Sequence, residues 1–121
     1  MATTGNDQKI DYVEFTVSDI ARSRDFYGRA FGWSFKDYGP SYCEFSDGRL
    51  TGGFALGGDG AGRTAAGGPL VVLYATDLAA TQQRLEEAGG RIVKPAYSFP
   101  GGRRFHFADP DGYELAVWSD K

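Results

Sequence analysis

The stretch "VEFTVSDIARSRDFYGRAFGW", residues 13–33, changes its hydrophobic period partway along. Up to Ser18 the pattern alternates: Val13, Phe15 and Val17 fall on one face, Glu14 and Thr16 on the other. That is the period of a half-buried strand. From Ile20 the spacing becomes helical, with Ile20, Ser23, Phe26, Tyr27, Ala30 and Phe31 along one side. Asp19 stands at the change, where its carboxylate can accept from the first unpaired N–H groups of a helix. The spacing predicts a strand at about 10–18 and a helix at about 20–32. Three more strands are expected at about 33–38, 41–46 and 49–56, separated by turns at Gly39-Pro40 and Asp47-Gly48.

The same order returns in the second half. "PLVVLYATD" (69–77) reads as a strand ending at Asp77, and Leu78 to Ala88 as an amphipathic helix stopped by Gly89-Gly90. Strands follow at about 91–96, 103–108 and 113–118. A shift of 58 lays Val13 on Val71, Phe15 on Leu73, Asp19 on Asp77 and Ile20 on Leu78. A shift of 64 lays Asp47-Gly48 on Asp111-Gly112, and the difference is assigned to a loop, "AYSFPGG" (96–102). The expected architecture is α+β: one domain over 1–121, built of two βαβββ modules (about 9–56 and 69–119) whose sheets curl around a cleft.

The linker between them, "GGDGAGRTAAGG" (57–68), contains G-x-x-x-x-G-R-T, one residue from a phosphate-binding loop. That loop needs a lysine on the phosphates and a helix whose N–H groups face the ligand. Arg63 replaces the lysine and "AAGGPL" cannot sustain a helix, so it is read as a linker.

With 121 residues, 41% of them hydrophobic and 15% aromatic, the chain can bury a core without disulfides. A net charge of −3 with no basic stripe argues against nucleic acid and anionic membrane as partners. No apolar run approaches the roughly 20 residues of a membrane span. The polar start, "MATTGNDQ", is unlike a signal peptide. The single cysteine, Cys43, fits a reducing compartment, and a cytoplasmic location is expected.

"VEFTVSDIARSRDFYGRAFGW" (13–33) and "FADPDGYELAVW" (107–118) together resemble the vicinal oxygen chelate superfamily, which contains glyoxalase I, bleomycin-resistance proteins, fosfomycin-resistance proteins and extradiol dioxygenases. The likeness runs from about residue 9 to 119 and looks strongest to glyoxalase-related members. It implies a shared cleft and a homodimer. In metal-dependent relatives four cleft-facing positions supply the ligands. The resemblance places them here at Tyr12 and Leu70, in the first strand of each module, and at Gly52 and Ala116, four residues after Gly48 and Gly112. Glycine, leucine and alanine side chains offer no donor, and one phenol cannot hold a divalent ion. Neither a metal nor another cofactor is therefore expected. The fosfomycin-resistance branch uses the position of His106 for ligand contact, which implies the same here.

Alternation along the strands puts Tyr12 and Glu14, Tyr74, Arg104 and His106, and Glu114 and Trp118 on the cleft side, and these form the expected ligand-binding set. His106, the only histidine, is the natural proton carrier near neutral pH. Tyr97 and Phe99 suit pocket walls or core equally. Asp109 and Asp111 are read as turn residues and Cys43 as core. The functional expectation is a metal-free binding protein that sequesters a small amphipathic molecule. The alternative is a glyoxalase-like lyase, isomerase or dioxygenase, using Glu14, His106 and Glu114 for acid–base chemistry or as a displaced metal site.

Overall fold

The computed structural model describes residues 7–57 and 68–121. Strand hands over to helix where the period changes: β1 (Tyr12–Val17) is followed by α1 (Ile20–Phe31). Asp19 caps the helix by accepting from the Arg22 N–H at 3.0 Å. Gly32 ends it in the left-handed conformation (φ 75°) that glycine adopts without a Cβ clash. The first module continues with β2 (Ser34–Asp37), β3 (Tyr42–Ser46) and β4 (Thr51–Leu56). The second comprises β5 (Val71–Tyr74), α2 (Leu78–Glu87), β6 (Arg91–Phe99), β7 (Gly102–Ala108) and β8 (Glu114–Ser119). Asp77 caps α2 through the Ala80 N–H at 3.0 Å. The fold is α+β, two βαβββ modules with sheet orders β1-β4-β3-β2 and β5-β8-β7-β6. In each, the first strand lies parallel to the last and the other pairs are antiparallel.

Each sheet gives one face to a shared core and leaves the other open. Phe15, Phe45 and Phe54 enter that core from the first sheet, and Phe105, Phe107 and Val117 from the second. Phe26, Tyr27 and Leu85 of the helices lie among them, and Cys43 is fully buried there as expected.

Two differences from the sequence reading matter for the site. Residues 96–99 are strand rather than loop: β6 runs on to Phe99, with register shifts between Ile92 and Lys94 and between Lys94 and Tyr97. The extra residues of the second module are absorbed in a long bulged hairpin, and Tyr97 is thereby paired with Arg104. The second difference concerns Gly52. In the first module Glu44 faces Gly53 across the β3–β4 hairpin, nine positions apart, whereas in the second His106 faces Ala116, ten apart. The Asp-Pro-Asp-Gly connection is one residue longer, so counting from the turn glycine misplaces the equivalent of Ala116. Gly52 belongs to the core face, opposite Val13 and Phe45. Gly53 is the residue on the open face. In addition, β5 starts at Val71, which leaves Leu70 outside the strand. The phosphate-loop look-alike lies, beyond Gly57, outside the described residues.

The Asp-Pro-Asp-Gly turn does more than reverse the chain. Asp109 holds the turn by accepting from the Asp111 and Tyr113 N–H groups at 2.9 and 3.0 Å. It also accepts from the buried Tyr27 hydroxyl of the first module at 2.7 Å. Asp111 accepts from the Ser18 hydroxyl at 2.6 Å and pairs with Arg22 at 3.0 Å. The Tyr113 hydroxyl accepts from the Thr16 N–H (2.9 Å) and donates to the Thr16 carbonyl (3.0 Å). The turn thus clasps the second module to the first.

Candidate functional site

On the open face of the second sheet, β7 supplies Arg104 and His106, β8 supplies Glu114, Ala116 and Trp118, and β5 supplies Val72 and Tyr74. Glu114 Oε2 lies 2.8 Å from His106 Nδ1, and the Tyr97 hydroxyl lies 3.0 Å from His106 Nε2. Arg104 Nε donates to the same Tyr97 oxygen. The Arg104 guanidinium also sits 5.6 Å from the centroid of the Tyr97 ring and 5.8 Å from that of Phe99. Trp118 continues the wall, 6.3 Å from Phe99 and 5.1 Å edge-on from Tyr74. The Tyr74 hydroxyl donates to Asp120, and that bond holds the Asp120 carboxyl below the usual range. Five of the expected residues, Tyr74, Arg104, His106, Glu114 and Trp118, therefore lie on one connected face.

His106 is 4% exposed, more deeply covered than a residue on an open sheet face. The longer β6 is the reason, because it brings Tyr97 beside the imidazole. Tyr97 is the member of this face that the expected set lacked. Its signal was present as alternation of Tyr97 and Phe99 before a Pro100-Gly101 turn, which is a hairpin pattern.

Tyr12 and Glu14 occupy the open face of the first sheet. The Tyr12 and Tyr42 hydroxyls are 2.6 Å apart, and Tyr42 donates to Glu14 Oε1 at 2.9 Å. Partial desolvation, with the bonds to Tyr12 and Glu14 behind it, pushes the Tyr42 phenol well up, so it stays a donor. Gly53 makes room for this chain, since a Cβ there would lie 2.6 Å from the Tyr12 oxygen and run into the Tyr42 hydroxyl.

A hollow of about 460 Å³ opens beside Tyr74 and Trp118. Its other walls are Val13, Trp33 and Phe45, with Arg49 of the β3–β4 turn among its lining residues. The sequence places these residues on strands, and nothing in their spacing marks them as pocket walls.

A metal does not fit the donors present. The open-face positions carry a phenol, Gly53 and Ala116, and Leu70 has no donor atom. Among the described residues no three His, Cys, Asp or Glu side chains come together as an ion-holding group. The displaced site of Glu14, His106 and Glu114 is thus not assembled within one chain: Glu14 bonds Tyr42 on the first sheet, and Glu114 bonds His106 on the second. No described helix is long and apolar enough to cross a membrane.

Paired βαβββ modules with open faces of this composition define a glyoxalase-type scaffold. The chain belongs to the Glyoxalase/Bleomycin resistance protein/Dioxygenase superfamily, whose family model matches residues 9–117. It is 38% identical over 117 residues to the anthracycline biosynthesis protein DnrV of Streptomyces peucetius, a match covering 83% of this chain and 42% of that protein. The chain thus spans about two fifths of the length of that curated relative. A glyoxalase-related enzyme from Fulvimarina pelagi shares the fold with a TM-score of 0.78 at 21% identity, covering 93% of this chain and 88% of that one. TnmS3, an antibiotic binding protein from Streptomyces sp. CB03234, superposes with a TM-score of 0.69 at 22% identity, covering 98% of each chain.

Proposed function

We propose that this chain is a binding protein that takes up a planar aromatic small molecule without a metal, in the hollow and along the open face of the second sheet. One observation carries the reading: Tyr74 and Trp118 line the hollow and also belong to the aromatic, arginine-bearing wall. The volume suits a small ligand, and flat rings stack on such walls with little loss of conformational entropy. Arg104 adds a cation for an electron-rich or acidic ring substituent. The names of DnrV and TnmS3 support a ligand of the antibiotic type. The buried thiol of Cys43 suits a reducing cytoplasm.

Tryptophan fluorescence titration with an anthracycline tests the metal-free part. Protein stripped with EDTA and phenanthroline is expected to bind as tightly as untreated protein, at about micromolar Kd. Binding that disappears on stripping and returns with added zinc or manganese overturns it.

The working form is proposed to be a homodimer, and cytoplasmic. β1 is a sheet edge, and Tyr12 on it and Leu56 beside it are 40% and 49% exposed. A second copy would cover both the unpaired backbone and the apolar surface. Sedimentation at micromolar concentration is expected to give twice the chain mass; a monomer contradicts it.

A further inference from the structure

We infer that Tyr97 is the proton-accepting group of the second sheet's open face, with His106 and Glu114 as a relay behind it and Arg104 beside it to hold the ligand oxyanion. The ligands it would act on carry an acidic hydroxyl, phenolic or enolic.

With His106 neutral, the hydrogen-bond chain has a single direction of transfer. The Glu114 carboxylate can only accept, so the proton of the neutral His106 ring sits on Nδ1, 2.8 Å away. That leaves Nε2 as an acceptor, 3.0 Å from the Tyr97 oxygen, and the phenolic O–H points into the imidazole. Arg104 Nε approaches the Tyr97 oxygen from another side and can only donate. When a hydroxyl docks at the remaining lone pair of Tyr97, its proton passes to the tyrosine oxygen while the tyrosine proton passes to His106 Nε2. The imidazolium is then neutralised by Glu114, and the ligand oxyanion faces Arg104, so charge and protons balance. Burial of the imidazole keeps water from short-circuiting the relay. A packing role for His106 needs neither the carboxylate at Nδ1 nor the cation on the phenol; the relay needs both.

The relay lies on the face proposed to bind ligand, but its test needs no bound ligand. The intact chain is treated with benzenesulfonyl fluoride and each tyrosine's labelling rate is read by peptide mass spectrometry. In this reaction the phenol oxygen forms an S–O bond as the S–F bond breaks, fluoride leaves, and the proton goes to His106. Tyr97 is expected to react about a hundredfold faster than Tyr38, at the low end of what positioned proton transfer supplies. Tyr38, at 52% exposed, is the reference for a freely accessible phenol. Glu114→Gln keeps an acceptor for Nδ1 while removing the charge, and His106→Asn removes the Nε2 acceptor. Both are expected to bring Tyr97 down to the rate of Tyr38 without changing Tyr38 itself. Should His106→Asn fail to fold, Glu114→Gln carries the comparison. Tyr97 labelling no faster than Tyr38, or an unchanged Tyr97 rate in Glu114→Gln, overturns the relay and leaves the binding proposal standing. Loss of anthracycline binding with rapid Tyr97 labelling retained would do the reverse.

Discussion

Asp109→Ala is expected to lower stability by about 3–5 kcal/mol, because it leaves one buried and two partly buried donors unpaired at roughly 1–3 kcal/mol each. Those donors are the Asp111 and Tyr113 N–H groups and the Tyr27 hydroxyl. Of the bonds in the clasp, the variant removes the one from Tyr27 directly and loosens the turn that presents Asp111 and Tyr113 to the first module. Urea unfolding measures it, and a cost below about 1 kcal/mol, the size of an ordinary exposed substitution, would remove the clasp from the account. The carboxylate also gives the fold a pH signature. Burial raises the Asp109 carboxyl above the usual aspartate value, against the lowering effect of the bonds from Tyr27, Tyr113 and Asp111. A group raised in the folded state binds its proton there longer than in the unfolded chain. Its contribution is therefore fully present below about pH 4 and is lost as pH rises through the folded value. Relative to Asp109→Asn, the native chain should lose stability from about pH 4 upward. A native chain that gains on the variant over that range would show that hydrogen bonding wins over desolvation.

Two adjacent glycines should behave in opposite ways. Gly52→Ala is expected to cost about 3 kcal/mol, the upper end of overpacking. Its Cβ would collide with the Val13 carbonyl and lie 2.7 Å from a Phe45 ring carbon, and the backbone of a central strand cannot yield. Gly53→Ala meets only the hydroxyl ends of Tyr42 and Tyr12, which can swing away, so its cost should stay under about 1 kcal/mol while the Tyr12–Tyr42–Glu14 chain is broken. Thermal midpoints of the two variants decide it. Equal destabilisation would mean that the two residues do not face opposite sides of the sheet.

The architecture was legible because its signals are local and doubled. Asp19 and Asp77 each mark a change from period two to helical period, and both are helix caps in the structure. Core identity followed for Phe15, Phe26 and Tyr27 because a helix has only one side to bury. Register was less legible, since it depends on turn length. One extra residue in the Asp-Pro-Asp-Gly connection moved Gly52 to the core face, and bulges in β6 hid Tyr97 within an apparent loop. The clasp could not be read at all: Ser18 and Asp111 are 93 positions apart, and no local pattern couples them. The hollow escaped for the same reason, because Trp33 and Phe45 look like core whether or not a neighbour covers them.

The aromatic wall of the second sheet is tested most directly by titrating the native chain and Trp118→Ala with one anthracycline, following the ligand's own fluorescence. The native chain is expected to saturate at one ligand per chain. Trp118→Ala should bind about thirtyfold more weakly, the ~2 kcal/mol expected of a central aromatic anchor. Equal affinity for the two proteins, or no saturable binding by the native chain, would contradict the account.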